Sequence, residues 1–267
     1  MVTVMQFIGP LPIFCVSVLL FIFIPAIHAV LAKKKIEVPI DLSGGRSARI
    51  EATPSKIYPG GVIYAVQMSS KHTHVIGDVF NKRELILPAY PTALSRSILI
   101  IPRDRESYIR IITRRMGRGN LFSRIDEFSR LPNGSYGKIY RRPIEINLQY
   151  QEPDDNINVD MKIDPKYKIG GIPEDLETLP IRYSVKPEVD LKVTIGVIRF
   201  GDHIVDDKVG WLLNREVIWE GGVINPEITV TSIYSNERQV RIKYGLKSEL
   251  EGFHIIHEEN VFLNLSN

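Results

Sequence analysis

An arginine cluster has the clearest chemistry of any feature in this sequence. Arg114, Arg115 and Arg118 lie close together among glycines, and Arg141 and Arg142 follow at the end of the same basic stretch. A guanidinium fork binds carboxylate or phosphate through two parallel hydrogen bonds. We therefore predict that these arginines bind an anionic surface polymer or the acidic face of another protein subunit, which includes a second copy of this chain.

A second interpretation keeps these arginines within the protein itself. Residues 103–142 are rich in arginine and lysine, whereas residues 152–190 are rich in aspartate and glutamate. Opposite charge blocks of one chain commonly pair within or between subunits. Nucleic acid is not the expected partner, because the apolar block described below predicts export; inside a cell, these arginines could bind nucleic acid.

Metal binding is the next chemistry that the residue types suggest. The weak candidates for ligands are His72, His74, Asp154, Asn156, Asn158 and Asp160. The two histidines are two residues apart and share a face on a strand. The Asp/Asn series resembles the start of a calcium loop, but Val159 and Pro165 stand where that loop needs glycine and glutamate. We predict neither a metal nor a cofactor.

Motifs for catalysis are absent from the sequence. It contains no nucleophile elbow, phosphate-binding loop, dinucleotide-binding glycine pattern or His-Glu-x-x-His. We therefore predict a non-catalytic protein with a structural, assembly or binding role. The alternative is a metal-dependent enzyme or accessory domain whose site is assembled from distant loops. The residues for such a site are His72, His74, His203, Asp206 and Asp207.

An apolar block determines the expected compartment. Residues 7–32 carry no charged side chain and end against three lysines, and the only cysteine, Cys15, lies inside the block. Its core, Leu11 to Ile24, has the length of a signal-peptide core, about 7–15 residues, rather than the ~20 of a spanning helix. We predict that residues 1–32 form a signal peptide, or a membrane anchor if they are not cleaved. The expected location is extracellular, cell-surface or periplasmic, although the lysines after an uncleaved anchor would favour a cytoplasmic domain.

Alternation of apolar and polar residues dominates the rest of the chain and predicts an all-β fold of one or two immunoglobulin-like sandwiches. The clearest predicted strands are Val62 to Met68, Ile144 to Tyr150, Ile157 to Ile163 and Leu191 to Val197. Residues 114–130 are predicted as a basic loop with one short helix, because Leu121, Phe122, Ile125 and Phe128 fall on one helical stripe.

Breaks by proline and glycine in residues 152–187 place the predicted domain boundary there. We predict a first sandwich over residues 33–165, a linker over 166–180 and a second sandwich over 181–267. A single sandwich with a long surface loop is the alternative. No internal period is evident.

One strand has an assembly role in this prediction. Ile36, Val38 and Ile40 alternate with polar residues and Pro39, which suits an edge strand. Such a strand completes its own sandwich or adds to the sheet of a neighbouring subunit in a homo-oligomer.

A short stretch resembles a known structural class. Residues 57–64, with the sequence IYPGGVIY, resemble the entry to a strand in secreted immunoglobulin-like sandwiches, including the non-catalytic β-domains that accompany cell-wall peptidases. The resemblance implies the fold, and it brings no activity and no site residue to this chain.

We expect the mature chain to begin near Val30 or Lys33. Pro25 breaks the apolar helix, and Ala29 and Ala32 are the small residues that a signal peptidase accepts before the cut. N-terminal sequencing or intact mass of the exported protein measures this directly. A recovered chain that starts at Met1 or Val2 would contradict cleavage and favour an anchored protein.

Overall fold

The computed structural model describes residues 34–44, 46–103, 106–117, 120–161 and 179–263. The predicted signal or anchor block, Arg118 and most of the predicted linker lie outside the described residues. All regular structure in the described ranges is strand, which confirms the all-β prediction. Within those ranges, no helix has the length and apolar character needed to cross a bilayer.

Eighteen strands form the fold, and they fall into two sets. The first set is β1 (Ile36–Asp41), β2 (Ile50–Pro54), β3 (Val62–Val66), β4 (His74–Asn81), β5 (Glu84–Leu87), β6 (Ala93–Arg103), β7 (Glu106–Gly117), β8 (Asn120–Arg130) and β9 (Tyr136–Lys138). The second set is β10 (Arg142–Asn147), β11 (Ile157–Met161), β12 (Ile181–Val185), β13 (Val193–Phe200), β14 (His203–Asp206), β15 (Leu212–Glu220), β16 (Glu227–Tyr234), β17 (Arg238–Ser248) and β18 (Gly252–Phe262).

Each set forms a three-stranded and a six-stranded sheet around one core. The first set has the strand orders β1-β4-β5 and β2-β3-β6-β7-β8-β9, and the second has β10-β13-β14 and β11-β12-β15-β16-β17-β18. Buried isoleucines and valines from both sheets of a set share one cluster, as Val79 and Ile109 do in the first core and Ile195 and Val217 in the second. Removal of these side chains from water supplies the main stabilising term of each sandwich.

The two sets are structural repeats of one another. Strands β3, β4, β5 and β6 begin at residues 62, 74, 84 and 93, and β12, β13, β14 and β15 begin at 181, 193, 203 and 212. Every start is therefore displaced by the same 119 residues, as from 74 to 193. The first strand of each repeat runs parallel to the fourth, and both pairings change register after their third residue.

A buried arginine occupies the same place in each repeat. Arg96 on β6 donates from Nε to Thr113 Oγ1 (3.0 Å) and from Nη1 to the carbonyl of Gly77 (2.6 Å). In the second repeat, Arg215 donates from Nε to Ser232 Oγ (2.9 Å) and from Nη1 to the carbonyl of Gly196. Each guanidinium thus links the six-stranded sheet to the three-stranded one.

The carbonyls that accept from these two arginines belong to glycines, Gly77 and Gly196, at points where two strands pack closely. A Cβ on Gly196 would lie 2.7 Å from Pro143 Cβ, and one on Gly77 would lie 3.1 Å from Glu37 Cβ. The parallel first strand crosses so closely at this point that a side chain would displace it.

The helix predicted over Leu121 to Arg130 is wrong, because these residues belong to strand β8. β8 pairs with β7 over its whole length, from Met116 opposite Leu121 to Tyr108 opposite Ser129. The predicted basic loop from residue 114 is likewise strand up to Gly117. Long-range pairing overrides a local apolar stripe that suits either structure.

The predicted domain boundary also needs correction. β10 pairs with β13, and β11 pairs with β12. Strand pairing therefore assigns both to the second repeat, which moves the boundary from about residue 165 to the segment between Lys138 and Arg142. The prolines and glycines beyond β11 indicated a linker because a long β11–β12 connection has the same composition.

The predicted assembly strand pairs within its own sandwich. Ile36, Val38 and Ile40 lie on β1, where Ile36 is opposite His74 and Ile40 is opposite Val79 of β4. The side chains of Val38 and Ile40 are buried in the first core. This pairing corresponds to the intramolecular alternative for β1.

We expect Arg215→Met to lower the free energy of unfolding by about 3–5 kcal/mol, because it leaves the buried Asp206 without the charge that compensates it. The Arg215–Asp206 distance is 3.2 Å, and both side chains are almost fully buried. Unfolding in guanidinium chloride, followed by tryptophan fluorescence, measures the loss in free energy of unfolding.

Arg199→Met is the matched control, since its ion pair with Glu145 lies at the surface and such pairs contribute at most about 1 kcal/mol. Equal losses in the two variants would contradict a structural role for the buried arginine.

Candidate binding site at the junction of the repeats

The β16–β17 turn of the second repeat is seated on strands β7 and β8 of the first. The Ile125 N–H donates to the carbonyl of Ser235 (2.7 Å). Arg114 donates to both carboxylate oxygens of Glu237, at 2.8 and 2.7 Å. The Glu237 side chain is only 3% exposed, so the fork is well shielded on the carboxylate side. Two short contacts of different kinds therefore fix the register between the repeats.

Glu127 is the centre of a second group of junction contacts. This buried carboxylate on β8 accepts hydrogen bonds from Tyr108 Oη and Arg141 Nη1, and Arg110 Nη2 lies 3.1 Å from it. Burial raises the pKa of Glu127, but the charges of Arg141 and Arg110 and the donated hydrogen bonds lower it by more. The net effect holds the pKa of Glu127 below its ordinary value, so the carboxylate is charged.

Asp190 extends this group into the second repeat. Arg103 donates to both oxygens of Asp190, at 2.8 and 3.0 Å, and Arg141 Nε donates to its backbone carbonyl at 2.6 Å. Arg103 therefore pairs with the acidic stretch, whereas Arg114 of the predicted cluster pairs with Glu237 outside it. The group borders a cavity of about 220 Å³, but its arginines are bonded to protein acceptors, which makes it a structural joint.

A larger cleft lies beside the joint and is open to solvent. Its volume is about 590 Å³, within the range of small-molecule sites, and its walls come from both repeats. Tyr90, Arg115 and Phe122 belong to the first repeat, Trp211 belongs to the second, and Arg96 lies at the base.

Arg115 is held between aromatic rings. Its guanidinium carbon lies 5.3 Å from the centroid of Tyr90 and 5.6 Å from that of Phe122. Stacking fixes the plane of a guanidinium while its N–H edges stay available to a ligand. No carboxylate of the described residues pairs with Arg115 within 4.0 Å.

Trp211 has an exposed side chain and a strained backbone. Its side chain is 82% exposed, which is unusual for the largest apolar residue. Its φ is +63°, a left-handed conformation that is rare for a bulky residue. The Trp211 carbonyl accepts the Ser235 N–H at 2.8 Å, so the junction turn holds this conformation. Strain of this kind concentrates at binding sites.

The electrostatics of the cleft favour an anion. Three guanidinium groups line it, from Arg96, Arg115 and Arg124, against one carboxylate, Asp126. That carboxylate already accepts from Arg124 at 2.9 Å and from Lys138 at 2.7 Å. The cleft therefore has positive charge in excess.

The five arginines that were predicted to bind an anion do not form one cluster in the described part of the structure. Arg114 and Arg141 serve the joint, Arg115 lines the cleft, and Arg142 begins β10 with an exposed side chain. Arg118 lies outside the described residues.

The weak metal candidates occupy ordinary structural positions. His74 is buried at the start of β4 and contacts Thr73 Oγ1, while Asp154 accepts the N–H groups of Asn156 and Ile157 at 2.7 Å each. His72 precedes β4, and Asn158 and Asp160 lie on β11. In the described part of the chain, no three His, Cys, Asp or Glu side chains are grouped to hold a metal ion.

The residues proposed for a distant-loop site are similarly placed. His203 and Asp206 lie on β14, and Asp206 accepts from Tyr244 Oη at 2.6 Å and pairs with Arg215. Asp207 follows β14 with an exposed side chain.

Sequence reasoning missed Arg96, Tyr90 and Trp211. Arg96 had a signal, because it occupies an inward position in register with Ile98 and Ile100 on an alternating strand. Trp211 follows a glycine in a polar connection, which is weak evidence for an exposed ring.

We expect Glu127→Gln to destabilise the protein by about 3 kcal/mol at neutral pH, because it leaves Arg141 and Arg110 uncompensated. A lowered carboxyl pKa contributes stability above the unfolded pKa, about 4.3, and that stability is lost as the pH falls through the folded pKa. The deficit of the variant should therefore shrink between pH 7 and pH 3, as measured by urea unfolding. Glu216→Gln, in a half-exposed pair with Arg182, is the control. An equal deficit at both pH values would contradict a charged Glu127.

Comparison of the chain with protein-family models, curated proteins and solved structures finds no match in any of the three.

Proposed function

We propose that the chain is a non-catalytic binding protein that holds its partner in the cleft between its two repeats. The observation that carries the proposal is Trp211, an exposed ring on a strained backbone, in the same cleft as Arg115, whose guanidinium lies over the rings of Tyr90 and Phe122. Exposed aromatic and arginine side chains are the residue types that contribute most to binding energy at interfaces.

The polar chemistry of the rest of the junction supports binding rather than catalysis. Glu127, Asp190 and Glu237 each accept hydrogen bonds from arginines, so these carboxylates hold the joint together. A general base must instead reach the proton that it removes. The cleft offers stacking surfaces and guanidinium donors, which suit recognition.

The compartment is part of the proposal. The apolar block at residues 7–32 supports export or membrane tethering, so the partner would be a protein subunit or an anionic polymer at the cell surface or envelope. An immunoglobulin-like classification of each sandwich is also proposed, on the support of two facing sheets with strand connections that cross between them.

We expect Trp211→Asn to weaken binding about tenfold or more, since interface tryptophans are frequent hot spots. Asparagine tolerates the left-handed backbone, so the variant removes the ring and keeps the fold. Labelled protein lacking residues 1–32 is measured on arrays of surface glycans and of extended peptides, and we expect it to bind members of one array.

Leu250→Asn is the matched control, because Leu250 is fully exposed and lies outside the cleft. Its binding should equal that of the parent. Absence of binding to both arrays, equal binding by the two variants, or cleavage of an array component would each contradict the proposal.

A further inference from the structure

The two repeats differ in how they treat the same buried arginine. In the second repeat, Arg215 Nη2 donates to the carbonyl of Lys208 (2.6 Å) and lies 3.2 Å from Asp206 Oδ1. Asp206 is the last residue of β14 and also accepts from Tyr244 Oη. This guanidinium is thus closed on every side by protein acceptors, and its charge is paired.

In the first repeat, the carboxylate partner is missing. Leu87 is the last residue of β5 and takes the place of Asp206, at the common displacement of 119 residues. Phe128 takes the place of Tyr244, because Phe128 is opposite Ile109 on β7 and Tyr244 is opposite the matching Ile228 on β16. Arg96 keeps its bonds to Thr113, Gly77 and Pro88, yet it has no carboxylate within 4.0 Å in the described residues, and its Nη2 makes no hydrogen bond to them.

Arg96 is nevertheless deeply buried, at 4% exposure. A buried charge without a direct counter-ion is costly, because the desolvation of the ion is not repaid. Burial lowers the pKa of Arg96, and the more distant charges of Asp126, Asp78 and Glu37 oppose that shift. Of these three, Asp126 is already occupied by Arg124 and Lys138.

The cleft reaches Arg96. Arg96 and Leu87 both line it, together with the aromatic walls and Arg115. We infer that the cleft binds a carboxylate-bearing ligand with an apolar or aromatic body, whose carboxylate pairs with Arg96 and supplies the counter-charge that Asp206 supplies in the second repeat.

This inference rests on the proposed function and specifies its ligand chemistry. The body of the ligand would contact Tyr90, Phe122 and Trp211, and Arg115 would donate from the rim. The carboxylate belongs either to a free organic acid or to the C-terminus of a peptide, since the donor geometry is the same for both.

The substitution Leu87→Asp tests the inference without altering Arg96. It gives the first repeat the carboxylate that the second repeat already has. The new carboxylate should pair with Arg96 and so exclude the carboxylate of a ligand. Leu87→Asn has nearly the same shape without the charge and is the matched control. Both side chains are polar and end a strand, so any loss of packing against the first core is common to the pair.

The probes are 3-phenylpropionate and its amide, and the peptide acetyl-Ala-Ala-Phe as free acid and as amide, each titrated by calorimetry. We expect at least one acid to bind about tenfold or more tightly than its amide, as a charge-assisted hydrogen bond predicts. Leu87→Asp should abolish that preference and Leu87→Asn should keep it. Preference for the peptide pair or for the small acid identifies the source of the carboxylate.

Failure of the inference is distinguishable from failure of the proposed function. Equal binding of acid and amide, lost in Trp211→Asn, would overturn the role of Arg96 and leave a binding cleft. An acid preference that persists in Leu87→Asp would overturn it as well, because the donor would then lie elsewhere. Absence of binding by every probe would also overturn it, while array binding remains the separate test of the cleft.

Discussion

A buried guanidinium between two sheets is the constraint on which each sandwich depends. A buried charge in an apolar core needs hydrogen-bond partners. The strands around the guanidinium must therefore supply acceptors. Thr113 and Ser232 supply hydroxyls at matching positions, and Gly77 and Gly196 supply carbonyls. The glycines in turn allow the parallel first strand to cross closely. One charge thus determines the residue type on several strands and links the two sheets of each repeat.

The two repeats share this frame but differ at the junction. On β7 and β8 of the first repeat, Arg114 pairs with Glu237 and Glu127 pairs with Arg141, while Arg110 supports Glu127 from the neighbouring strand. By strand register the second repeat has Thr229, Ile233 and Lys243 at these positions, and Lys243 pairs with Glu227 of the neighbouring strand β16. The Arg114–Glu237 and Arg141–Glu127 pairs therefore have no counterpart at the matching positions of the second repeat, so the pair of repeats is asymmetric and the cleft lies beside the joint.

Most strands follow from the sequence because alternation reports a local property, the burial of one face. The repeat itself could not be recognised, since its matching residues, such as Tyr64 and Tyr183, are scattered and the connections before β3 and β12 differ in length. The basic stretch was identifiable by composition, but composition does not state which arginine is bonded. The pairing of Arg114 with Glu237 is decided by residues that are distant in the chain and adjacent only after folding.

The position of the cleft couples ligand binding to the geometry of the joint. A ligand there would contact Arg115 of the first repeat and Trp211 of the second, and the Trp211 backbone is bonded to Ser235 of the turn that Arg114 anchors through Glu237. Any change in the angle between the repeats would separate the two walls. Linkage makes this coupling reciprocal. The free energy by which a ligand that contacts both walls stabilises the joint equals the free energy by which the closed joint strengthens the binding of that ligand. The ion pairs of the joint would then act on affinity without contacting the ligand, because they hold the two walls of the cleft at a fixed separation.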